Sequence, residues 1–223
     1  MADTKERILD TAERLFAAQG YAGTSLRTII SEAGVNLAAV HYHFHSKEAL
    51  LEAIVLRRAE PANRERLELL ERFEREAGGR PLALEKVIEA FAAPAFRVAR
   101  DPARGGPLFR QMIGRLYAEG DIMPRILASH FRPLLERFGV ALQRALPELP
   151  PEELYWRIHF AFGAVTQALR GARDWEVADS PLRESGAELT LNRLIAFISG
   201  GLRAPVGIHT AIEQPADAGT RRN

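Results

Sequence analysis

Cysteine is absent from the 223 residues, which excludes disulfide frameworks, thiol nucleophiles, iron–sulfur clusters and cysteine zinc sites. A reducing compartment fits that absence, and the cytoplasm is the expected one. An excess of one charge is also lacking: 30 Lys and Arg stand against 29 Asp and Glu, for a formal net charge of +1. No global basic field argues for nucleic acid, so any such binding must come from a local patch. Long apolar runs are missing too. The run from Phe160 to Val165 falls far short of the about 20 residues that span a bilayer, and no membrane partner is expected. The opening MADTKERILDTAERLF is polar and amphipathic from its first turn, unlike a signal peptide. GxSxG, P-loop and Rossmann glycine patterns do not occur, so neither an enzyme nor a cofactor is expected. No segment joins β-branched alternation to hairpin turns, and the fold class expected is all-α.

What is present is helical periodicity. Ile8, Leu9, Ala12, Leu15 and Phe16 follow the spacing of a half-buried helix, with Asp3 as its cap and Gly20 as its stop. Thr24-Ser25 offers a new cap before Leu26, Ile29, Ile30 and Ala33, and Gly34 ends that short helix. Leu37-Ala38-Ala39-Val40 then resumes helical composition, so helix, tight turn and helix follow one another in a helix-turn-helix outline. Ser46 caps a long helix that runs into RRAEPANRERLELLERFERE and becomes increasingly solvated, with a bend expected at Pro61. After Gly78-Gly79-Arg80-Pro81, helices are expected over 82–99, 108–117, 122–146 (bent at Pro133), 152–173 and about 184–202. The division expected is a three-helix helix-turn-helix domain over 1–46, a helical ligand-binding and dimerisation domain over 47–204 and a frayed tail over 205–223.

VNLAAVHYHFHSKE carries His41, His43 and His45 at every other position. On a strand these would point the same way and could share a metal. On a helix, residues two apart are turned by about 200° from each other, so neighbours in the series point to opposite sides and no metal shared by the three is expected. The imidazoles then pack, face water or meet a partner. No carboxylate lies between Glu32 and Glu48, while Arg27, Lys47 and the imidazoles are near, so phosphate could approach without meeting fixed negative charge. Ala38 and Ala39 would let the third helix come close to base edges, and Ser25 offers a hydroxyl at a helix N-terminus.

Over about Lys5 to Ile54, the chain, with RILDTAERLFAAQGYAGTSLRTIISEAGVNLAAVHYHFHSKEALLEAI from Arg7 on, resembles the TetR family of transcriptional repressors in its helix lengths, Gly20, Gly34-Val35, the HYHF segment and Ser46-Lys47-Glu48-Ala49-Leu50. The resemblance implies a homodimer on double-stranded DNA, with Leu37 to Phe44 as recognition helix in the major groove and one copy per half-site of a palindromic operator. By position in the family motif, the DNA-facing set is Ser25, Arg27, Leu37, Ala38, Ala39, His41, Tyr42, His43 and Lys47. Ser25, His41 and Lys47 are implied as phosphate contacts, and Arg27, Leu37, Ala38, Ala39 and Tyr42 as contacts to bases or their methyl groups. His41 stands where the family often has tyrosine.

In the remaining half the residues carry more of the reading. Leu154, Trp156, Ile158, Phe160, Phe162, Val165 and Leu169 place apolar groups around most of one helix, which is expected to be buried on more than one side. The resemblance implies that the last two helices form a four-helix dimer seam, with Ala161, Ala164, Val165, Ala168, Leu191, Leu194, Ile195 and Ile198 in it. Gly163 and the alanines would permit close approach. Pocket candidates are Phe96, Phe109, Met112, Ile113, Leu116, Phe131, Trp156, Phe160 and Gly163, with Phe91, Tyr117, Met123, Leu127, Phe138 and Phe162 beside them. His159, Thr166 and Gln167, with Arg115, are polar groups that could orient a ligand head group. VNLAAVHYHF and LPPEELYWRIHFAFGA resemble a branch of the family associated with fatty-acid or acyl-thioester sensing, so a small apolar effector is expected. A flat drug or an aromatic metabolite suits the same residues. A ligand-responsive repressor is thus the expected function, with an activator of the same architecture and an all-helical lipid carrier or enzyme as rivals.

Overall fold

The computed structural model describes residues 4–102, 105–120, 122–170 and 187–207. Ten α-helices form among them, with no strand: α1 Thr4–Gln19, α2 Leu26–Ala33, α3 Leu37–Phe44, α4 Lys47–Ala77, α5 Leu84–Arg100, α6 Gly106–Leu116, α7 Ile122–His130, α8 Arg132–Ala145, α9 Pro151–Arg170 and α10 Ala187–Arg203. Asp3, the expected cap of α1, lies outside the described residues, as do positions 171–173 and 184–186 of the expected last helices and most of the expected tail.

Local chemistry sets the helix ends. Ser25, Asn36 and Ser46 are N-caps whose side-chain oxygens accept from the backbone N–H of Thr28, Ala39 and Ala49 at 3.0, 2.8 and 3.0 Å. Gly34 ends α2 at φ 61°, where a side chain would be strained, and the Val35 N–H closes the turn on the Ile30 carbonyl at 3.2 Å. α4 continues through Pro61.

The expected single helix over 122–146 is instead two helices, α7 and α8, parted at Phe131. Pro133 accounts for the break: it has no N–H to donate and its ring would crowd the carbonyl of Ser129 in a continuous helix, whereas in the first turn of α8, where it stands, neither cost arises. Ser129 turns its hydroxyl back onto the carbonyls of Arg125 and Ile126, both at 3.1 Å, in the last turn of α7.

Three apolar cores hold the helices together, and each fully buried Leu, Ile or Phe contributes about 1.5–3 kcal/mol. The first joins Ile8, Leu15 and Phe16 of α1, Ile29, Val40 and Phe44 to Leu50, Leu51 and Ile54 of α4, and also to Met112, Leu116 and Met123 of α6 and α7. This core crosses residue 46, so α1–α3 pack on the rest of the chain as well as on one another. A second core lies where α9 and α10 close over α5, and a third between α4, α5 and α8. Arg157, buried in α9, donates to the carbonyls of Leu202 and Ala204 at 3.0 and 2.6 Å and so satisfies the C-terminal end of α10.

Candidate nucleic-acid interface and internal cavity

α3 turns Val40 and Phe44 into the first core, and the periodicity of a two-turn helix leaves its other face to solvent. Leu37 is 55% and Tyr42 80% exposed. Ala38 and His41 are exposed as well, while Ala39 and His43 are half-buried. The His43 ring meets the edge of Tyr42, with centroids 5.0 Å apart, and braces it. His41 and His43 do not converge, and among the described residues no cluster suited to a metal occurs.

Ser25 and Arg27 are exposed at the start of α2. The Ser25 hydroxyl already bonds Thr28 Oγ1 at 2.8 Å besides capping the helix, so the two hydroxyls form one polar edge. Lys47 is half-buried: its ammonium donates to the carbonyls of Tyr21 and Thr24 at 2.9 and 3.0 Å and sits 4.1 Å from the Tyr21 ring centroid. These two acceptors engage two of its three N–H groups.

Between α3 and α4, His45 adopts φ 59°, ψ −39°, and the Ser46 N–H donates to the Phe44 carbonyl at 2.6 Å. This is a tight γ-turn in a sparsely populated region, at a cost of about 1–3 kcal/mol. Thr28, Asn36 and His45 were not among the expected site residues. The capping preference of Asn before an apolar run was the available signal for Asn36; no pattern in sequence marks a γ-turn at histidine.

A cavity of about 350 Å³ opens between α4, α5, α6 and α9. Of the pocket candidates, Phe109, Ile113, Phe131, His159 and Thr166 line it, with Phe91, Tyr117, Met123 and Phe162. Among the other pocket candidates, Phe138 lines a smaller pocket, the Leu127 side chain lies outside the described residues, and the rest lie elsewhere. Phe96 closes the core under α9 and α10, and Met112 and Leu116 fill the first core, because they stand on the sides of α5 and α6 that face away from the opening. Trp156, Phe160, Gly163 and Gln167 lie on the outer face of α9.

Three of the expected seam residues also shift. Val165, Leu194 and Ile198 are buried within the second core, where α9 and α10 meet inside the subunit. Ala161, Ala164, Ala168, Leu191 and Ile195 are half-buried beside them. The open face of this helix pair instead carries Trp156 at 50%, Phe160 at 66% and Phe197 at 72% exposure, with Gly163 and Gly200 exposed between them.

The cavity wall includes a row that the sequence reading missed: Val55, Ala59, Ala62 and Arg66 of α4, with Arg58 beside them. Their i, i+4, i+7, i+11 spacing was the available signal, hidden inside a charge-rich run. Arg58 links the cavity to α1, donating from Nε and Nη2 to Glu13 at 2.9 and 2.6 Å. Arg57 donates to the same carboxylate at 2.7 Å and to Glu6 and Asp10, both at 2.8 Å. Burial raises the Tyr117 phenol above its ordinary value, partly offset by its hydrogen bond with Thr166.

A family model described as bacterial regulatory proteins of the tetR family matches residues 8–54, and one described as the tetracyclin repressor-like C-terminal domain matches residues 89–201. The transcriptional regulator YerO of Bacillus subtilis (strain 168) is 51% identical over 51 residues, 23% of this chain and 18% of YerO. SrpR of Pseudomonas putida, an HTH-type transcriptional regulator, is 39% identical over 59 residues, 26% of this chain and 28% of SrpR. The matched segment thus spans less than a third of these relatives. A tetR-family regulator from Shewanella sp. PV-4 shares the fold with a TM-score of 0.64 at 22% identity, over 89% of this chain and 97% of that one. Salmonella enterica GusR does so with a TM-score of 0.59 at 20% identity, over 90% and 96%.

Proposed function

The chain belongs to the TetR family of transcriptional regulators, and from that premise we propose that it is a repressor that binds a palindromic operator as a homodimer and releases it when a small apolar effector fills the cavity. Family members are regulators and not enzymes. Among the described residues, no helix is long and apolar enough to cross a membrane.

The observation that carries the proposal is the double allegiance of α4 and α6. Arg58 lines the cavity and grips Glu13 of α1. Ile113 and Tyr117 of α6 line the same cavity, while Met112 and Leu116 of that helix are buried in the core that holds α1–α3. An effector that prefers a different spacing of α4 and α6 shifts the helix-turn-helix units with them, and release measures its differential affinity for the two arrangements. The exposed aromatic face of α9 and α10 supports a self-complementary seam, because a patch of large apolar side chains on a soluble surface marks an interaction site. Ser25, Arg27, Leu37, Ala38, Ala39, His41, Tyr42, His43 and Lys47 form the DNA-facing set of this reading.

Selection of bound duplexes from a random pool tests it. Enrichment of a palindrome is the expected result; binding that vanishes with salt and enriches no sequence would remove the operator. Tyr42→Ala, which deletes the most exposed aromatic of α3, is expected to relax sequence preference by about 1–3 kcal/mol at its base position while leaving nonspecific binding intact.

A further inference from the structure

We infer that the cavity takes an apolar organic acid, with its carboxylate seated on Arg66. This inference rests on the reading of the cavity as the effector site and adds the chemical class of the effector.

Arg66 is 8% exposed and stands on the cavity wall. Its Nε donates to the Phe91 carbonyl and its Nη1 to Asn63 Oδ1, both at 2.7 Å, and its guanidinium lies 4.4 Å from the Phe91 ring centroid. Both acceptors are neutral. Among the described residues no carboxylate pairs with it, and its Nη2 donates no hydrogen bond. A buried cation without a counter-charge is an arrangement that proteins rarely leave uncorrected, since desolvation costs more than neutral acceptors return. Burial alone pulls the Arg66 guanidinium down to about 10, so it remains cationic at neutral pH.

The rest of the wall points to the same class. No Asp or Glu lines the cavity; its other ionisable side chains are Arg58, Arg110, His159, Tyr117 and Tyr155. Arg58 is already committed to Glu13, which leaves Arg66 as the deepest available cation. One uncompensated guanidinium suits a monoanion, and the free Nη2 can donate a charge-assisted hydrogen bond to a carboxylate oxygen. The remaining surface is apolar. Phe91 and Phe162 also line a smaller apolar pocket of about 70 Å³, with Val87, Ile88, Leu142 and Leu202, which adds apolar surroundings for a hydrocarbon tail beside the cavity. The main cavity lies near the lower end of the about 300–1,000 Å³ that small-ligand sites occupy. That volume fits a free acid better than a coenzyme thioester, which would also present an uncharged carbonyl to Arg66.

The test uses the full chain and titrates it calorimetrically with saturated carboxylates from hexanoate to dodecanoate, each beside its methyl ester. At least one acid is expected to bind about tenfold or more tighter than its ester, the scale of one charge-assisted contact. Arg66→Met should bring acid and ester to equal affinity, and Arg66→Lys should restore part of the preference. Removing an uncompensated buried charge is not expected to lower the melting temperature, and the comparison in the unaltered protein needs no variant. Equal binding of acids and esters, no binding of any acid, or a preference that survives in Arg66→Met would overturn the assignment. Ile113→Trp, which fills the cavity, separates the two levels: esters that bind the unaltered protein and lose binding in this variant keep the cavity as a site while the acid class falls. Ester binding indifferent to Ile113→Trp would remove the cavity itself.

Discussion

The two halves of α4 treat their inward-turned arginines in opposite ways. In the first half, Arg57 and Arg58 converge on Glu13, itself 1% exposed, and Glu6 and Asp10 add further negative charge at the rim. Two turns later, Arg66 is at least as deeply buried and has a carbonyl, an amide and an aromatic ring but no carboxylate. The same residue type thus fastens the helix to α1 at one end and leaves an unmet charge in a cavity wall at the other. The difference teaches where to look for binding: a compensated buried charge holds structure, and an uncompensated one awaits a partner.

Removing the compensation at the first half is the largest perturbation. Glu13→Ala takes a fully buried carboxylate away from two partly buried guanidiniums, and breaking a buried pair from one side costs about 3–5 kcal/mol. Arg57 keeps Glu6 and Asp10, so the lower end of that range is expected. Denaturant unfolding monitored by helicity should show the midpoint fall with little change in slope. An unchanged midpoint would mean that the apolar core alone fastens α4 to α1.

Supplying compensation at the second half makes the complementary change. Asn63→Asp converts the acceptor at 2.7 Å from Arg66 Nη1 into a carboxylate of the same shape. Charge-assisted hydrogen bonds are roughly twice as strong as neutral ones, so a gain of about 1 kcal/mol in stability is expected. The acid preference proposed for the cavity should fall with it, because Arg66 would then resemble Arg58. A variant that gains stability and keeps its acid preference would locate the anion on Arg110 instead.

Why α1–α3 were legible in the sequence and the cavity was not follows from the range of the forces involved. Ser25, Asn36 and Ser46 cap helices through backbone groups three residues away, and Gly34 ends one by its own φ; these are local rules that sequence displays directly. The exposed face of α3 follows from the burial of Val40 and Phe44. The cavity depends on which side of α4, α5, α6 and α9 faces inward, which is settled by packing across the chain. Met112 and Ile113 are neighbours with equal claims as apolar residues, yet one fills a core and the other lines the opening. Trp156 and Phe160 failed as pocket residues for a related reason: α9 is apolar on most sides, so hydrophobicity alone could not separate its inner face from its outer one. Arg66 was hidden by its surroundings in sequence, since RERLELLERFERE reads as a solvated face although position 66 turns inward.

An arginine pair at the surface completes the series and should have the smallest effect. Arg203, in the last turn of α10, donates from Nη2 to Glu85 Oε2 at 2.9 Å and from Nη1 to Oε1, and Glu85 stands in the first turn of α5. That contact holds the Glu85 carboxyl down at about 2 from an ordinary 4.5. A depressed carboxylate adds stability above its unfolded value and loses it as pH falls through its folded one, so the contribution should disappear between pH 4.5 and about 2. Both side chains are about half exposed, and water and salt screen the pair, which limits its worth to below about 1 kcal/mol. Glu85→Gln removes the charge at every pH, so the stability difference from the unaltered protein should be small at neutral pH and vanish near pH 2. If that difference rivalled the one from Glu13→Ala, burial would not be what separates these pairs, and the unmet charge of Arg66 would lose its significance as well.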